Sequence, residues 1–425
     1  MKKAIVVGSG AGGATAAKEL QGRYDVTILD AGKEFRPFSG NLSFVEKMKK
    51  TGLLMDEREI QLLFPAMKIR KTDDGMVMVN GIGLGGTTTL ATGNAVRMDQ
   101  DLKKIGINLD AEFDELYGEI PIHTDHQNRW RPETVRLFEI CAEMNLHPEP
   151  LPKMGDHRRC THCGRCVLGC PNGVKWDSRR FLRSAVEKGA SVRTGCNVKN
   201  VVIKDSRAAG VSIRKGWRSE FLPADLVILA AGGFGTPVIL ENSGIRCDDR
   251  LFVDPVLCVA VKREKAFQNR ELSMPFVVQR TGFILSPYFD YISFFFNKEW
   301  RFPARDTLGI MIKLADTNSG SVTSHHIKKT LNERDKEGLR QGVEVCIEIF
   351  RRLGKAEGQT ILGTVNAGHP GGMLPLTADE VSTFHSRRLP ENLYVSDATL
   401  FPSSLGNPPI LTIMAMAKRI GKICS

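Results

Sequence analysis

The 425-residue sequence lacks any run of about 18 uncharged apolar residues, the length a membrane-crossing helix requires. Its most apolar stretch, Phe283 to Phe296, is broken by Pro287 and Asp290 and reads as strand or pocket wall. A secretion leader is not expected either. Met1-Lys2-Lys3 passes straight into Ala4-Ile5-Val6-Val7 and a glycine run, where a leader needs an apolar core and a cleavage site. A cytoplasmic location is therefore expected, and the ten cysteines read as ligands or plain thiols rather than disulfides. No internal repeat and no low-complexity segment is present, which excludes solenoids and linker-like chains. No nucleic-acid-binding motif accompanies the net charge of +11, so no nucleic-acid partner is expected.

What is present describes a globular protein. Hydrophobic residues at 42% and charged residues at 25% suit a chain with a large core, and the length suits two or three packed lobes. Part of the basic excess is local. Between Gly155 and Arg183 lie seven basic residues (Arg158, Arg159, Arg165, Lys175, Arg179, Arg180, Arg183) and two acidic ones (Asp156, Asp177). Such a stretch is either a solvated surface or a patch that steers an acidic partner.

Several elements are legible along the chain. Ala4–Val7 reads as a buried strand, Ala14 to Leu20 as a helix and Asp25–Leu29 as a second strand. Leu226 to Ala230 predicts another strand running into glycines. Leu331 to Gly354 carries apolar residues at helical spacing, and Pro409 to Ile423 reads as a closing helix with proline near its start. The region from about 256 to 325 has strand-like patches and aromatics without a helical period.

Gly8-Ser9-Gly10-Ala11-Gly12-Gly13 fits G-x-G-x-x-G through Gly8, Gly10 and Gly13. The first glycine permits a tight turn, the second a close approach to pyrophosphate, and the third the packing of helix on strand. The helix N-terminus offers free N–H groups to phosphate. Asp30 ends the second strand 17 residues past Gly13, where an acid can hold a ribose hydroxyl. Strand, turn, helix, strand and acid together predict a dinucleotide site, without separating FAD from NAD.

Cys160, Cys163, Cys166 and Cys170, followed by Pro171, form C-x2-C-x2-C-x3-C-P, the ligand run of bacterial ferredoxins. In two-cluster ferredoxins the fourth cysteine serves the other cluster, and here only one run exists. One cluster would use all four cysteines as 4Fe–4S, three as 3Fe–4S, or an outside ligand such as Cys141 or Cys196. Zinc, which usually joins two separated cysteine pairs, and no metal at all are the competing readings.

Three further segments carry a family resemblance. They are Gly83-Leu84-Gly85-Gly86-Thr87-Thr88 with Arg97; Ala231-Gly232-Gly233-Phe234-Gly235-Thr236-Pro237 with Leu240 and Ser243-Gly244-Ile245; and Asn392-Leu393-Tyr394-Val395-Ser396-Asp397-Ala398 with Phe401-Pro402 and Asn407-Pro408. In this order and spacing they resemble the motifs of the glucose–methanol–choline (GMC) flavoprotein family. The resemblance implies bound FAD and an α/β fold (α+β overall), with a Rossmann-like FAD lobe and a substrate lobe on an antiparallel sheet. The expected division is 1–100, 155–255 (with the cysteine run) and 386–425 for the FAD lobe, 101–154 as a linking segment and 256–385 as substrate lobe. Expected cofactor-binding residues are Gly8, Gly10, Ala11, Gly13, Asp30, Gly85, Gly86, Thr87, Asn94, Val198, Ala231, Gly232, Asp397, Ala398 and Pro408. Two features depart from the family: Ala91 stands where an asparagine is usual, with Asn94 nearby, and the chain is short, so loops over the pocket are expected to be missing. The family often carries cysteines before a Gly-x-Lys segment like Gly173-Val174-Lys175 without metal, yet some dehydrogenases of this type hold an iron–sulfur cluster there.

Within that frame His369 resembles the active-site histidine, and Asn407, 38 residues on, matches the second active-site position. A histidine suits removal of a hydroxyl proton because its pKa lies near neutrality, and an asparagine can orient the substrate oxygen. His325 and His326 read as surface or pocket rim. The expectation is an FAD-dependent dehydrogenase oxidising a CH–OH group of an alcohol or sugar-like substrate, with electrons leaving through the cluster to a redox protein. A reductase running the other way, a redox-silent lyase and an electron-transfer subunit remain as alternatives. The aromatic residues Phe283, Tyr288, Phe289, Tyr291, Phe294, Phe295, Phe296 and Trp300 read as core.

Overall fold

The first apolar run forms the strand Lys2–Val7, buried from Ala4 onward. In the computed structural model, which describes residues 1–38, 66–355 and 357–424 together with 46–47, 56 and 64, it is the central strand of a five-stranded sheet. The order is Leu393–Val395, Leu226–Leu229, Lys2–Val7, Tyr24–Leu29, Ser191–Arg193, all parallel. Parallel strands covered on both faces carry continuous apolar runs, which makes Ala4–Val7 and Leu226–Leu229 visible without alternation. The helices Ala11–Glu19 and Ile410–Ile423 pack against each other. Gly421 permits their close approach, since a Cβ there would lie 2.7 Å from that of Glu19. Buried Lys418 ties the pair, donating to Glu19 at 2.7 Å and to Glu119 at 2.9 Å. A small antiparallel sheet of Asn197–Lys204, Arg207–Lys215 and Arg218–Pro223 lies in sequence between the parallel strands Ser191–Arg193 and Leu226–Leu229.

A second, nine-stranded sheet runs in the order Met67–Lys71, Val77–Gly81, Asn366–Ala367, Val256–Lys262, Thr307–Leu314, Phe283–Pro287, Phe276–Arg280, Glu149–Pro150, with Thr360–Leu362 also paired to Val256–Lys262. Its pairings are antiparallel except for Asn366–Ala367 beside Val77–Gly81. Thr307–Leu314 is buried at every position because the helix Glu333–Arg352 covers the sheet there. That helix is started by Asn332, whose side chain accepts from Asp335 N at 2.9 Å while the Asp335 carboxylate accepts from Asn332 N. Gly342 fits against Ile312, where a Cβ would meet Cγ2 at 2.6 Å.

The apolar stretch Phe283 to Phe296 divides into two elements. Phe283–Pro287 is a strand, and Asp290 then caps a short helix, Tyr291–Phe296, accepting from Ile292 N at 3.0 Å. A helix buried on nearly all sides has no polar face, so no helical period marks it in the sequence. Its aromatics join one core cluster with Trp300, and Phe283 joins the cluster under the helix Glu333–Arg352. Among the described residues no helix is long and apolar enough to cross a membrane.

Candidate active site

A cavity of about 460 Å³ opens at the carboxyl ends of the parallel strands, where Val7, Leu29 and Ala230 line it. This is where open α/β sheets bind nucleotides. Gly8 turns the chain with φ +98°, and a Cβ there would lie 2.2 Å from the Ala230 carbonyl oxygen. Gly10 has only Gly86 Cα within 4.0 Å of where a Cβ would stand, so the backbone faces open space. It precedes the helix Ala11–Glu19 without a side-chain cap, leaving the first amides free for an anion. Gly13 packs the helix down, since a Cβ would meet Gly8 O at 2.0 Å.

Ser9 joins the two glycine turns. Its hydroxyl donates to Asp30 Oδ2 at 2.5 Å and accepts from Gly85 N at 3.0 Å. Asp30 also accepts from Gly32 N at 2.8 Å, and its carboxylate stays at the cavity edge. Opposite, Asp397 accepts from Gly232 N at 2.9 Å and Thr236 Oγ1 at 2.5 Å; burial raises its carboxyl above the ordinary value. Lys68 and Arg70, from the second sheet, add positive charge to the same wall, and burial lowers both their pKa values. The glycine turns, free amides and cations fit a dinucleotide pyrophosphate.

His369 lines this cavity with 27% of its side chain exposed. Its Nδ1 is sealed from solvent and lies 3.4 Å from Asp254 Oδ2, without an aligned hydrogen bond. Burial, and then the positive charge of Lys313, lower its pKa below the usual histidine value despite Asp254. Burial alone would raise the Asp254 carboxyl, but Lys313 and His369 outweigh it and hold it at about 2.

The four cysteines of the run line a second, small cavity together with His157, His162 and Glu271. None of the four is in a disulfide. Among the described residues no three His, Cys, Asp or Glu side chains converge on a single-ion site. His157 is 3% exposed, and its Nδ1 has no hydrogen-bond partner. Buried Lys175 bridges the two cavities. Its ammonium donates to Thr88 O (3.2 Å), Thr89 O (2.8 Å) and Ala91 O (2.6 Å) by the glycine turn and to Cys166 O (3.1 Å) in the cysteine segment.

The expected site residues fall into two groups. Gly8, Gly10, Ala11, Asp30, Gly86, Thr87, Val198, Ala231, Gly232, Asp397, Ala398 and His369 line the large cavity, as does Ala91. Gly13, Gly85, Asn94, Asn407 and Pro408 are not among its lining residues. Asn94 is buried, accepting from Lys153 Nζ and donating to Met274 Sδ at 3.1 Å. Asn407 pairs amide to amide with Gln279, at 3.2 and 3.3 Å, beside Pro409, which does line the cavity. His325 and His326 are exposed at a hairpin tip. Of the seven basic residues around the cysteines, Lys175 is buried and does not belong to a surface patch. Asp254, Lys313 and Lys175 were not singled out as site residues. Each is an ordinary charged residue whose partners lie mostly far off in sequence, so no local spacing marks it.

A nucleotide cavity at the ends of a parallel sheet, lined also by a histidine that follows the strand Asn366–Ala367 of a second sheet, is the arrangement of an FAD-dependent oxidoreductase. Residues 3–256 match the GMC oxidoreductases, and the chain belongs to that family. It is 30% identical over 424 residues to an uncharacterised protein of Methanocaldococcus jannaschii, covering 97% of each chain. It is 22% identical over 507 residues to a long-chain-alcohol oxidase of Arabidopsis thaliana, covering 98% of this chain and 68% of the plant protein. Pyridoxine 4-oxidase from Mesorbium loti has the same fold, with a TM-score of 0.71 at 15% identity, covering 99% of this chain and 98% of that one.

Proposed function

We propose that the protein oxidises a CH–OH group of an alcohol or sugar-like small molecule to a carbonyl, and that electrons leave through an iron–sulfur cluster to a protein acceptor. The observation that carries the oxidation is the shared wall: the glycine turns at Gly8, Gly86 and Gly232 and the imidazole of His369 face one cavity. FAD, when bound there, supplies the hydride acceptor. His369 is a neutral base near neutral pH, because its folded pKa lies below the ordinary value. Its Nε2, on the side of the ring away from Asp254, takes the hydroxyl proton as the carbinol carbon gives up hydride. Asn407 does not line the cavity as it stands; to orient the substrate oxygen it must exchange its bond to exposed Gln279 for one to the substrate.

The cluster reading rests on the second cavity. Four cysteines in the spacing of a ferredoxin ligand run line one small cavity beside buried His157, which supports a cluster. Cys170 shares that cavity with the other three, so neither Cys141 nor Cys196 is needed; Cys196 lines the FAD cavity and Cys141 is core. The link through Lys175 keeps the two cavities adjacent, as electron transfer requires. Exposed Arg158, Arg159 and Arg180 near the cysteines suit an acidic partner surface.

The test is anaerobic purification with FAD, iron and sulfide analysis and EPR before and after reduction. Anaerobic mixing with 1-dodecanol, pyridoxine and glucose then follows, reading loss of the flavin absorption. Bleaching by at least one alcohol that vanishes in His369→Gln supports the oxidation. Bleaching by none, or bleaching that survives His369→Gln, removes it. Absence of iron in a freshly purified, FAD-loaded sample removes the cluster.

A further inference from the structure

Behind His369 lies a buried charge network that the oxidation as described does not use. Asp254 is 1% exposed and adopts a left-handed backbone, φ 52°, uncommon for a non-glycine residue though open to aspartate. Three segments hold it. Lys313 Nζ, from the strand Thr307–Leu314, donates to Oδ2 and Ser404 Oγ donates to Oδ1. From beneath, the Asp316 carboxylate accepts from the backbone N of Val253 at 3.1 Å and of Asp254 at 2.8 Å. Asp316 is itself paired with Lys329 at 2.7 Å, and Lys329 also donates to the carbonyls of Leu251, Thr317 and Ser319.

Four buried ions on one side of a cavity histidine are expensive to place there. Apolar residues of the same volume are often as stabilising or more so. The arrangement gains meaning from the one ring atom it meets. Nδ1 of His369 is sealed from solvent, and the nearest charged oxygen is Asp254 Oδ2 at 3.4 Å. A carboxylate only accepts, so the ring that suits it carries its proton on Nδ1. The lone pair then sits on Nε2.

We propose that Asp254 is a positioning residue for His369: held by Lys313 and Ser404, its carboxylate keeps the proton on Nδ1 and leaves Nε2 free to accept the substrate's hydroxyl proton. When that proton arrives the ring becomes an imidazolium, and the loose contact at 3.4 Å becomes a charge-assisted one. Lys313 keeps Asp254 ionised, so the Nδ1 proton stays on the ring. The charged groups around the imidazole are Asp254 and Lys313, with Asp316 and Lys329 in the layer behind. Ser404 stands three residues before Asn407 and accepts from Gly406 N at 3.3 Å, so the same aspartate fixes the segment that carries the second proposed active-site residue.

This inference rests on the reading of His369 as the base, and the experiment separates the two. Removing Asp254 alone would strand Lys313, so the variant is the charge-neutral pair Asp254→Asn with Lys313→Met. FAD-loaded protein labelled with 15N at its histidine rings is compared by NMR, the His369 signal being the one lost in His369→Gln. Wild type is expected to hold the Nδ1–H tautomer, and the double variant to lose that preference. Its flavin bleaching by the best alcohol of the panel should fall by roughly 100-fold, with little change in KM. Should the double variant not fold with FAD, Ser404→Ala is read the same way, with a smaller fall in rate. An Nε2–H tautomer in wild type, or an unchanged tautomer and rate in a folded variant, overturns the positioning role. If His369→Gln still bleaches, the base reading falls and takes this role with it.

Discussion

Acid should weaken the wall beside the cysteine cavity in a definite pH window, and His126 sets that window. The ring is 4% exposed. Its Nε2 lies 2.8 Å from the Leu151 carbonyl oxygen, and its Nδ1 lies 3.0 Å from the indole N–H of Trp130. A carbonyl only accepts and an indole N–H only donates, so the ring is neutral with its proton on Nε2. A second proton would set N–H against N–H. Burial, the largest influence, pulls the pKa down to about 4 from a model-compound value of 6.5. Because the folded pKa is the lower one, the unfolded chain binds more protons across that interval. Stability is complete above the unfolded value and is lost as pH falls toward the folded one. At pH 4.5 the loss from this residue is about 2.5 kcal/mol. The assay is urea unfolding at pH 7 and pH 4.5 for wild type and His126→Phe. The variant starts roughly 2 kcal/mol lower, since Trp130 and Leu151 lose their partner. It should then lose about 2.5 kcal/mol less than wild type on acidification. His157, in edge contact with His126 at 6.3 Å and also held at about 4, titrates in both proteins; His126 is one cause of its lowering, so its own acid loss shrinks in the variant and widens the difference. Parallel pH dependences for the two proteins would refute the assignment.

Other perturbations act elsewhere. Gly13→Ala drives a methyl group into the Gly8 carbonyl, at 2.0 Å, and should give protein without visible flavin absorption; a normally yellow variant would contradict the packing. Lys175→Met leaves four carbonyls without their donor and should lower stability by about 3 kcal/mol or more and disturb the glycine turn; urea midpoint and flavin content read both. Reversing Arg158, Arg159 and Arg165 to glutamate should slow reduction of an acidic ferredoxin while leaving flavin bleaching alone, and an unchanged rate and salt dependence would remove the docking face. Asn332→Ala removes one end of a capping box and should lower stability by about 1 kcal/mol without touching flavin content, read by thermal melting.

What could be read from the sequence was what lies close together in it. The strand, turn, helix and strand from Lys2 to Leu29 are one local unit, and the sequence expectation there differs from the structure by one to three residues at the element ends. The helix at Glu333–Arg352 announces itself because one face meets a sheet and the other meets water. The second sheet is different. Its strands pair across long separations, such as Val256 with Lys313 and Asn366 with Val77, and no local pattern carries that register. The short helix Tyr291–Phe296 was hidden by being apolar on almost every side. At the site, the glycine turns and the cysteine run are local motifs and were legible as such. Asp254 was not, because its significance lies in Lys313, His369 and Ser404, none of them its sequence neighbour.

The parallel sheet has a consequence for how the protein is made. Its central strand is Lys2–Val7, but one neighbour is Leu226–Leu229, and the edge beyond that is Leu393–Val395. The cavity wall likewise joins Gly8 to Ala398, Pro409 and Ile410. A chain still emerging from the ribosome therefore exposes its first strand and glycine turn long before their partners exist. Cofactor capture has to wait until residues near 410 are free to fold back, and free FAD is of little help to the early nascent chain. Translation pauses before residue 393 would leave an apolar strand edge open, which makes that interval the one in which a chaperone matters most.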